Sequence, residues 1–170
     1  PGSGKSTLAR AIAISFDKGI HLEVDKLRSM FVNGVIDPAE ARQWSEEIES
    51  QFRLERRAAG QMAALFADQG FTTIIDDVFV PPYMFNHYEP YISGFHCTSI
   101  LLNPSMDSII CRLKSRKDIF DDTFIERLPA LHNLLNHSNL TSWSMIDSSN
   151  LSQEETRKEA LSILNKDAEQ

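Results

Sequence analysis

Pro1-Gly2-Ser3-Gly4-Lys5-Ser6-Thr7 opens the chain and runs directly into the apolar helical pattern Leu8-Ala9-Arg10-Ala11-Ile12-Ala13. This stretch reads as most of a phosphate-binding loop. Glycines let the backbone curl so that successive N–H groups face a polyphosphate, a lysine reaches its terminal phosphates, and the first hydroxyl after the lysine ligates magnesium. A helix beginning at the end of such a loop aims the positive end of its dipole at the same anion. Gly2, Ser3, Gly4, Lys5, Ser6 and Thr7 are therefore the candidate ATP-phosphate contacts, with Ser6 also a candidate magnesium ligand. With Gly4 as the second glycine of G-x-x-x-x-G-K-[ST], the first falls two residues before Pro1. An apolar strand normally leads into such a loop. The expectation is thus a chain that lacks its first strand and that glycine.

The 170 residues suit a single domain spanning 1–170, and 42% hydrophobic with 24% charged content is a globular balance. A net charge of −7 argues against a nucleic-acid surface, which shows a basic excess. Cys97 and Cys111 lack metal-ligand spacing and are expected to be reduced. His21, His87, His96, His132 and His137 show no ligand-pair spacing and receive no role. No apolar run approaches the length of a membrane span. Together with an ATP-type ligand, this points to the cytoplasm and to no membrane partner.

Downstream, Ile20-His21-Leu22-Glu23-Val24 alternates as a strand ending at Asp25, and a helix with Leu27, Met30 and Phe31 on one face is expected to follow. Open α/β sheets place ligands at the carboxyl ends of their strands. Asp25 is therefore a candidate catalytic base for a substrate hydroxyl, the alternative being a helix cap. Arg28, on the same side, is a candidate substrate contact. Asp37-Pro38 and Gly70 bracket a long helical pattern whose core stripe is Ile48, Phe52, Ala59, Met62 and Phe66, with Gly60 marking a break. Its front, with Trp44, Arg53, Arg56 and Arg57, lies where an acceptor site would be built. Glu49 and Arg53 also read as an ordinary surface pair.

Phe71-Thr72-Thr73-Ile74-Ile75 is the strongest strand and delivers Asp76-Asp77. A carboxylate there suits magnesium: Asp76 follows the apolar run directly, and Asp77 points the other way, towards the acceptor. The aromatics Tyr83, Phe85, Tyr88 and Tyr91 within 81–96 read as the buried side of an irregular helix, with a pocket lip as the alternative. Cys97 to Leu102 is the next strand. Asn103-Pro104-Ser105 then starts a helix ending in Arg112, Lys114, Arg116 and Lys117, where Arg112 and Arg116 share a face and suit charge neutralisation during phosphoryl transfer. Residues 112–128 read as a lid, with Lys117 to Asp122 its loop. A helix kinked near Pro129 leads to a strand at Ser142 to Ile146. The polar turn Asp147-Ser148-Ser149-Asn150 suits a nucleotide base, and Ser152-x-x-Glu155 is a capping box.

These motifs together resemble the small P-loop kinases, in particular the chloramphenicol phosphotransferase-like and zeta toxin-like group, over essentially the whole chain. The resemblance implies a P-loop NTPase α/β three-layer sandwich with a parallel sheet in order 2-3-1-4-5, here without its first strand. It implies that Gly2, Gly4, Lys5, Ser6 and Thr7 bind ATP phosphates and Mg2+, that Asp25 is the base and that Arg28 touches substrate. By the same resemblance Asp76 or Asp77 serves the metal, Arg112 and Arg116 serve the lid, and Asp147 to Ser149 hold the base. The function expected is an ATP-dependent kinase transferring the γ-phosphoryl group to a hydroxyl of an antibiotic-, nucleoside- or sugar-like acceptor, with Lys5, Asp25 and Arg116 catalytic. Two rivals stand beside it: a P-loop ATPase or ATP-binding regulatory module, and a polynucleotide 5′-hydroxyl kinase.

Overall fold

A computed structural model of the chain describes residues 2–36, 45–78, 85–115, 125–126, 128–130, 132–133 and 140–168. Helix α1 (Lys5–Ile14) is followed by strand β1 (Gly19–Glu23), the short helix α2 (Val24–Arg28) and the long helix α3 (Glu46–Asp68). Strand β2 (Thr72–Asp76) comes next, then a 3-10 turn (Phe85–His87), α4 (Glu89–Ile92), β3 (Ile100–Leu102), α5 (Met106–Ser115), β4 (Ser144–Ile146) and α6 (Gln153–Ala168).

The described strands form two parallel pairs. β1 runs beside β2 with Gly19 opposite Thr72 and Glu23 opposite Asp76. β3 runs beside β4 with Ile100 opposite Ser144 and Leu102 opposite Ile146. Only four strands lie among the described residues, in place of a single sheet in order 2-3-1-4-5. Each pair nevertheless joins the strands that the expected order makes neighbours.

Side-chain alternation on β2 explains how the helices attach. Ile74 faces the cluster of Leu8, Ile12, Ile146 and Ala160, from α1, β4 and α6, which also gathers Ile100 and Leu102 of β3. Its neighbour Ile75 faces the opposite cluster of Val24, Ala59 and Tyr88, joined by Leu27 and Ile92. Helices therefore cover β2 on both faces, and α1 with α6 spans the two strand pairs. A third cluster, Ile109, Leu113 and Leu128 with Met106, fixes α5.

Several expected boundaries shift. Val24 and Asp25 belong to the first turn of α2 and not to a strand end, and Met30 is 69% exposed, off any core face. Strand β2 starts at Thr72 and includes Asp76, while β3 excludes Cys97 to Ser99 and β4 excludes Ser142 and Trp143. β2 is shifted by one residue at the same length, while β3 and β4 shorten because a strand extends only as far as its partner offers ladder bonds.

The expected helix start at Asp37-Pro38 and Trp44 lie outside the described residues. Among the described ones, Ser45 caps α3 by accepting a bond from the Ile48 N–H at 3.3 Å, with Glu46, Glu47 and Glu49 on the favourable end of the dipole. No break occurs at Gly60. The helix runs through it because its bare backbone lets Tyr91 approach: a Cβ there would meet the ring at 3.0 Å. Gly70, at φ +78°, ends the helical region as expected. The capping box is also present: Ser152 Oγ accepts from the Glu155 N–H at 3.2 Å, and Glu155 Oε2 accepts from the Ser152 N–H at 2.8 Å. Cys97 and Cys111 are free and exposed.

Gly19 marks the tightest turn, since a Cβ on it would fall 1.8 Å from the Ala13 carbonyl oxygen at the end of α1. Gly19→Ala is expected to destabilise by about 1–3 kcal/mol through forced overpacking. That corresponds to a drop of roughly 3–10 °C in Tm by scanning calorimetry. An unchanged Tm would show that the α1–β1 turn yields freely.

Candidate active site

The loop before α1 is built by glycine. Gly2 and Gly4 sit at φ +77° and +94°, left-handed values that side chains resist, and Gly4 caps α1 without offering a side chain. Such a cap leaves first-turn N–H groups without an intrahelical partner, and no acidic residue occupies that turn to offset the dipole. The result is a helix N-terminus whose free N–H groups and dipole suit an anion.

Lys5, the first residue of α1, is the hub of the charged groups. Its Nζ lies 3.7 Å from Asp25 Oδ2 and 3.5 Å from Asp76 Oδ1. The two acids differ sharply in environment. The Asp25 side chain is 64% exposed, whereas that of Asp76 is fully buried. Asp25 does not serve as the cap of α2, a position taken by Glu23 without a side-chain bond. Asp76 Oδ2 is bonded to His21 Nε2 at 3.1 Å, and its Oδ1 has no hydrogen-bond partner. The spacing rules that passed over His21 look for metal-binding pairs along one element, while this pairing joins neighbouring strands.

Asp77 points to the other side, as expected, and meets protein there. Its Oδ2 accepts from Arg56 Nε at 2.7 Å and from the Tyr88 hydroxyl at 2.7 Å. Burial, then the adjacent Asp77 carboxylate, pushes the Tyr88 hydroxyl far up, so it remains a donor. Tyr88 is thus core, in line with the buried-side reading of 81–96, and Tyr83 lies outside the described residues. Arg53 and Arg57 are exposed, while Arg56 is buried in this network.

Arg28 is likewise engaged. Its Nη1 donates to Glu55 Oε1 at 2.6 Å, its Nη2 donates to the Ile36 carbonyl, and its guanidinium lies 4.5 Å from the Phe52 ring centroid. Burial pushes the Glu55 carboxyl up, against the opposing pull of Arg28.

Arg112 links the glycine loop to the polar turn after β4. Its Nη1 donates to the Ser3 carbonyl at 3.1 Å and to Ser148 Oγ at 3.3 Å, and its Nη2 donates to the Ser148 carbonyl at 2.5 Å. Asp147 accepts from both the N–H and the hydroxyl of Ser149, which hold its carboxyl below the ordinary range. Ser149 Oγ accepts in turn from the Ser105 N–H at 2.7 Å, so the turn is tied to the start of α5. Arg116, Lys117 and the loop to Asp122 lie outside the described residues.

A cavity of about 660 Å³ separates β2 from β3, lined by apolar residues such as Ile12, Ile74, Ile100 and Leu102, with Lys5 and Asp76 also on its wall. Magnesium commonly takes one or two protein oxygens and completes its shell with water and phosphate. The Ser6 hydroxyl and the buried Asp76 Oδ1, which has no hydrogen bond and only the Lys5 ion pair, fit that habit. Among the described residues no group of three or more His, Cys, Asp or Glu could hold a metal unaided. Nor is any described helix long and apolar enough to cross a membrane.

No protein-family profile matches the chain. A search of curated proteins finds no match either. Among solved structures, the chain is similar to an unliganded sugar kinase from Janibacter sp. HTCC2649, with a TM-score of 0.72, 18% identity, and coverage of 96% of this chain and 89% of that one. At that identity the likeness is one of fold: the chain shares the α/β fold of that kinase.

Proposed function

We propose that the protein is an ATP- and magnesium-dependent phosphotransferase acting on a hydroxyl of a small molecule. The observation that carries this reading is the convergence of Lys5, Asp25 and Asp76 at the mouth of a left-handed glycine loop opening α1. The loop and the N–H groups of α1 hold the phosphates, and Lys5 binds the terminal ones. Ser6 and Asp76 hold magnesium, which when bound neutralises charge on the phosphate oxygens. Asp25, the exposed acid, takes the acceptor proton. A bond forms between the acceptor oxygen and the γ-phosphorus, the bond from that phosphorus to the bridging oxygen breaks, and ADP leaves.

Arg112 positions the Asp147-Ser148-Ser149 turn, assigned to the base, against the glycine loop. Arg116 supplies charge from the lid read over 112–128, whose ends are anchored through Arg112, Leu113 and Leu128. Arg28 orients substrate through its place beside Asp25 on α2, while Asp77 shapes the acceptor side through Arg56 and Tyr88. The pairs β1–β2 and β3–β4 are the outer neighbours of order 2-3-1-4-5, and on that ground the fold is read as a three-layer P-loop sandwich of the small P-loop kinase type. What supports this is that one helical cluster already packs on strands from both pairs. A sugar-like acceptor gains support from the fold shared with a sugar kinase.

Magnesium-dependent ADP release from ATP is to be measured against nucleosides, sugars, antibiotics and a 5′-hydroxyl oligonucleotide. A small-molecule acceptor is expected to raise turnover strongly. Slow turnover indifferent to every acceptor would sink the kinase reading in favour of an ATPase. Asp25→Asn is expected to lower kcat by about 10²–10⁴-fold, the usual contribution of a positioned base, with ADP affinity nearly unchanged. Retention of full transfer by that variant would remove Asp25 from the mechanism. Lys5→Met is expected to reduce kcat by at least about 10²-fold through lost charge stabilisation, and to weaken ATP binding measured by calorimetry.

A further inference from the structure

We infer that His21 is a positioning residue that fixes the magnesium-side carboxylate Asp76, an inference resting on the phosphotransferase reading above. His21 is the central residue of β1, opposite Ile74, and Asp76 stands two residues further along β2. Alternation places residues two apart on one face, so the imidazole and the carboxylate share a face of the β1–β2 pair. Nε2 lies 3.1 Å from Asp76 Oδ2. An ionised carboxylate only accepts, so the nitrogen facing it carries the hydrogen and donates.

The Asp76 side chain has no solvent exposure, and a buried carboxylate needs a donor at each oxygen. His21 satisfies Oδ2. The other oxygen, Oδ1, has no hydrogen bond and is reached by Lys5 Nζ at 3.5 Å. The imidazole therefore sets the rotation of the carboxylate and leaves one oxygen committed to the α1 side. On its other flank His21 lines a shallow groove of about 450 Å³ with Ser6 and Thr7, the hydroxyls that follow Lys5. It thus bonds one group assigned to the metal and shares a groove with the other. A hydrocarbon in its place would leave Oδ2 without this donor and the carboxylate free to turn.

The test uses the complete protein and a fluorescent ADP analogue, titrated with and without Mg2+, alongside melting curves. The parent is expected to bind the analogue more tightly with Mg2+. His21→Leu is expected to shrink that magnesium-linked gain by about 10–100-fold, the usual effect of removing a group that orients a metal ligand, with metal-free affinity unchanged. His21→Gln, which keeps an N–H at a similar reach, is expected to recover most of it. Full retention of the gain in His21→Leu would overturn the inference. Equal losses in both variants, tracking a lower Tm, would overturn it as well, because they would mark packing alone. A parent that binds the analogue equally with and without Mg2+ would overturn the phosphotransferase reading itself, an outcome separate from these two.

Discussion

The ammonium of Lys5 is the tie on which the site's geometry depends. It brings the start of α1, the first turn of α2 and the end of β2 to within 3.5–3.7 Å of one cation. A charge pair at that distance is worth about 4–5 kcal/mol at an effective dielectric near 20, before desolvation is subtracted. The two pairs are not equal. Water screens the exposed Asp25, so its share is small, whereas buried Asp76 has little besides His21 and Lys5 to balance it. Asp76 is therefore the fixed anchor, and Asp25 is the freer of the two acids.

Fixing Asp76 also depends on its neighbour. Successive residues at a strand end point to opposite faces, so Asp76 faces α1 while Asp77 faces α3. Asp77 is held by Arg56, 1% exposed, and by the Tyr88 hydroxyl. The end of β2 is thus clamped from both sides by buried ion pairs. The strand cannot rotate to offer Asp76 elsewhere without stranding a charge beside α3, and an unpaired buried charge costs several kcal/mol. The network around Arg56 and Glu55 therefore bears on the candidate chemistry without touching it.

What the sequence revealed divides along the range of the interactions. The glycine loop, the capping box at Ser152 and the stop at Gly70 are written within a few residues, and the structure places each as read. The pairings Arg28–Glu55, Arg56–Asp77, His21–Asp76 and Arg112–Ser3 join residues 27, 21, 55 and 109 positions apart. No spacing rule along one element can see them. Arg28 and Arg112 consequently read as free cations awaiting an anion, when each already spends donors on the protein. Gly60 reads as a break for a related reason: it admits Tyr91 from α4, a contact invisible to helix propensity. His21 carried no motif at all, and only the β1–β2 register gives it a partner.

The engagement of Arg112 does not remove it from the electrostatics of the loop. Hydrogen bonds to the carbonyls of Ser3 and Ser148 consume N–H donors, but carbonyls are neutral and leave the guanidinium charge standing beside the glycine loop. Lys5, by contrast, is paired with buried Asp76 and, more weakly, with exposed Asp25, and an anion reaching it must compete with them. The positive field at the loop thus comes from Arg112 and the α1 dipole, with Lys5 held by its acids. This is how a chain of net charge −7 can present an anion site. Its field acts within about one Debye length, roughly 8–10 Å, which suffices for a compact polyphosphate. An anion longer than that range meets a chain whose net charge is −7, so the same balance that leaves a local anion site disfavours an extended polyanion.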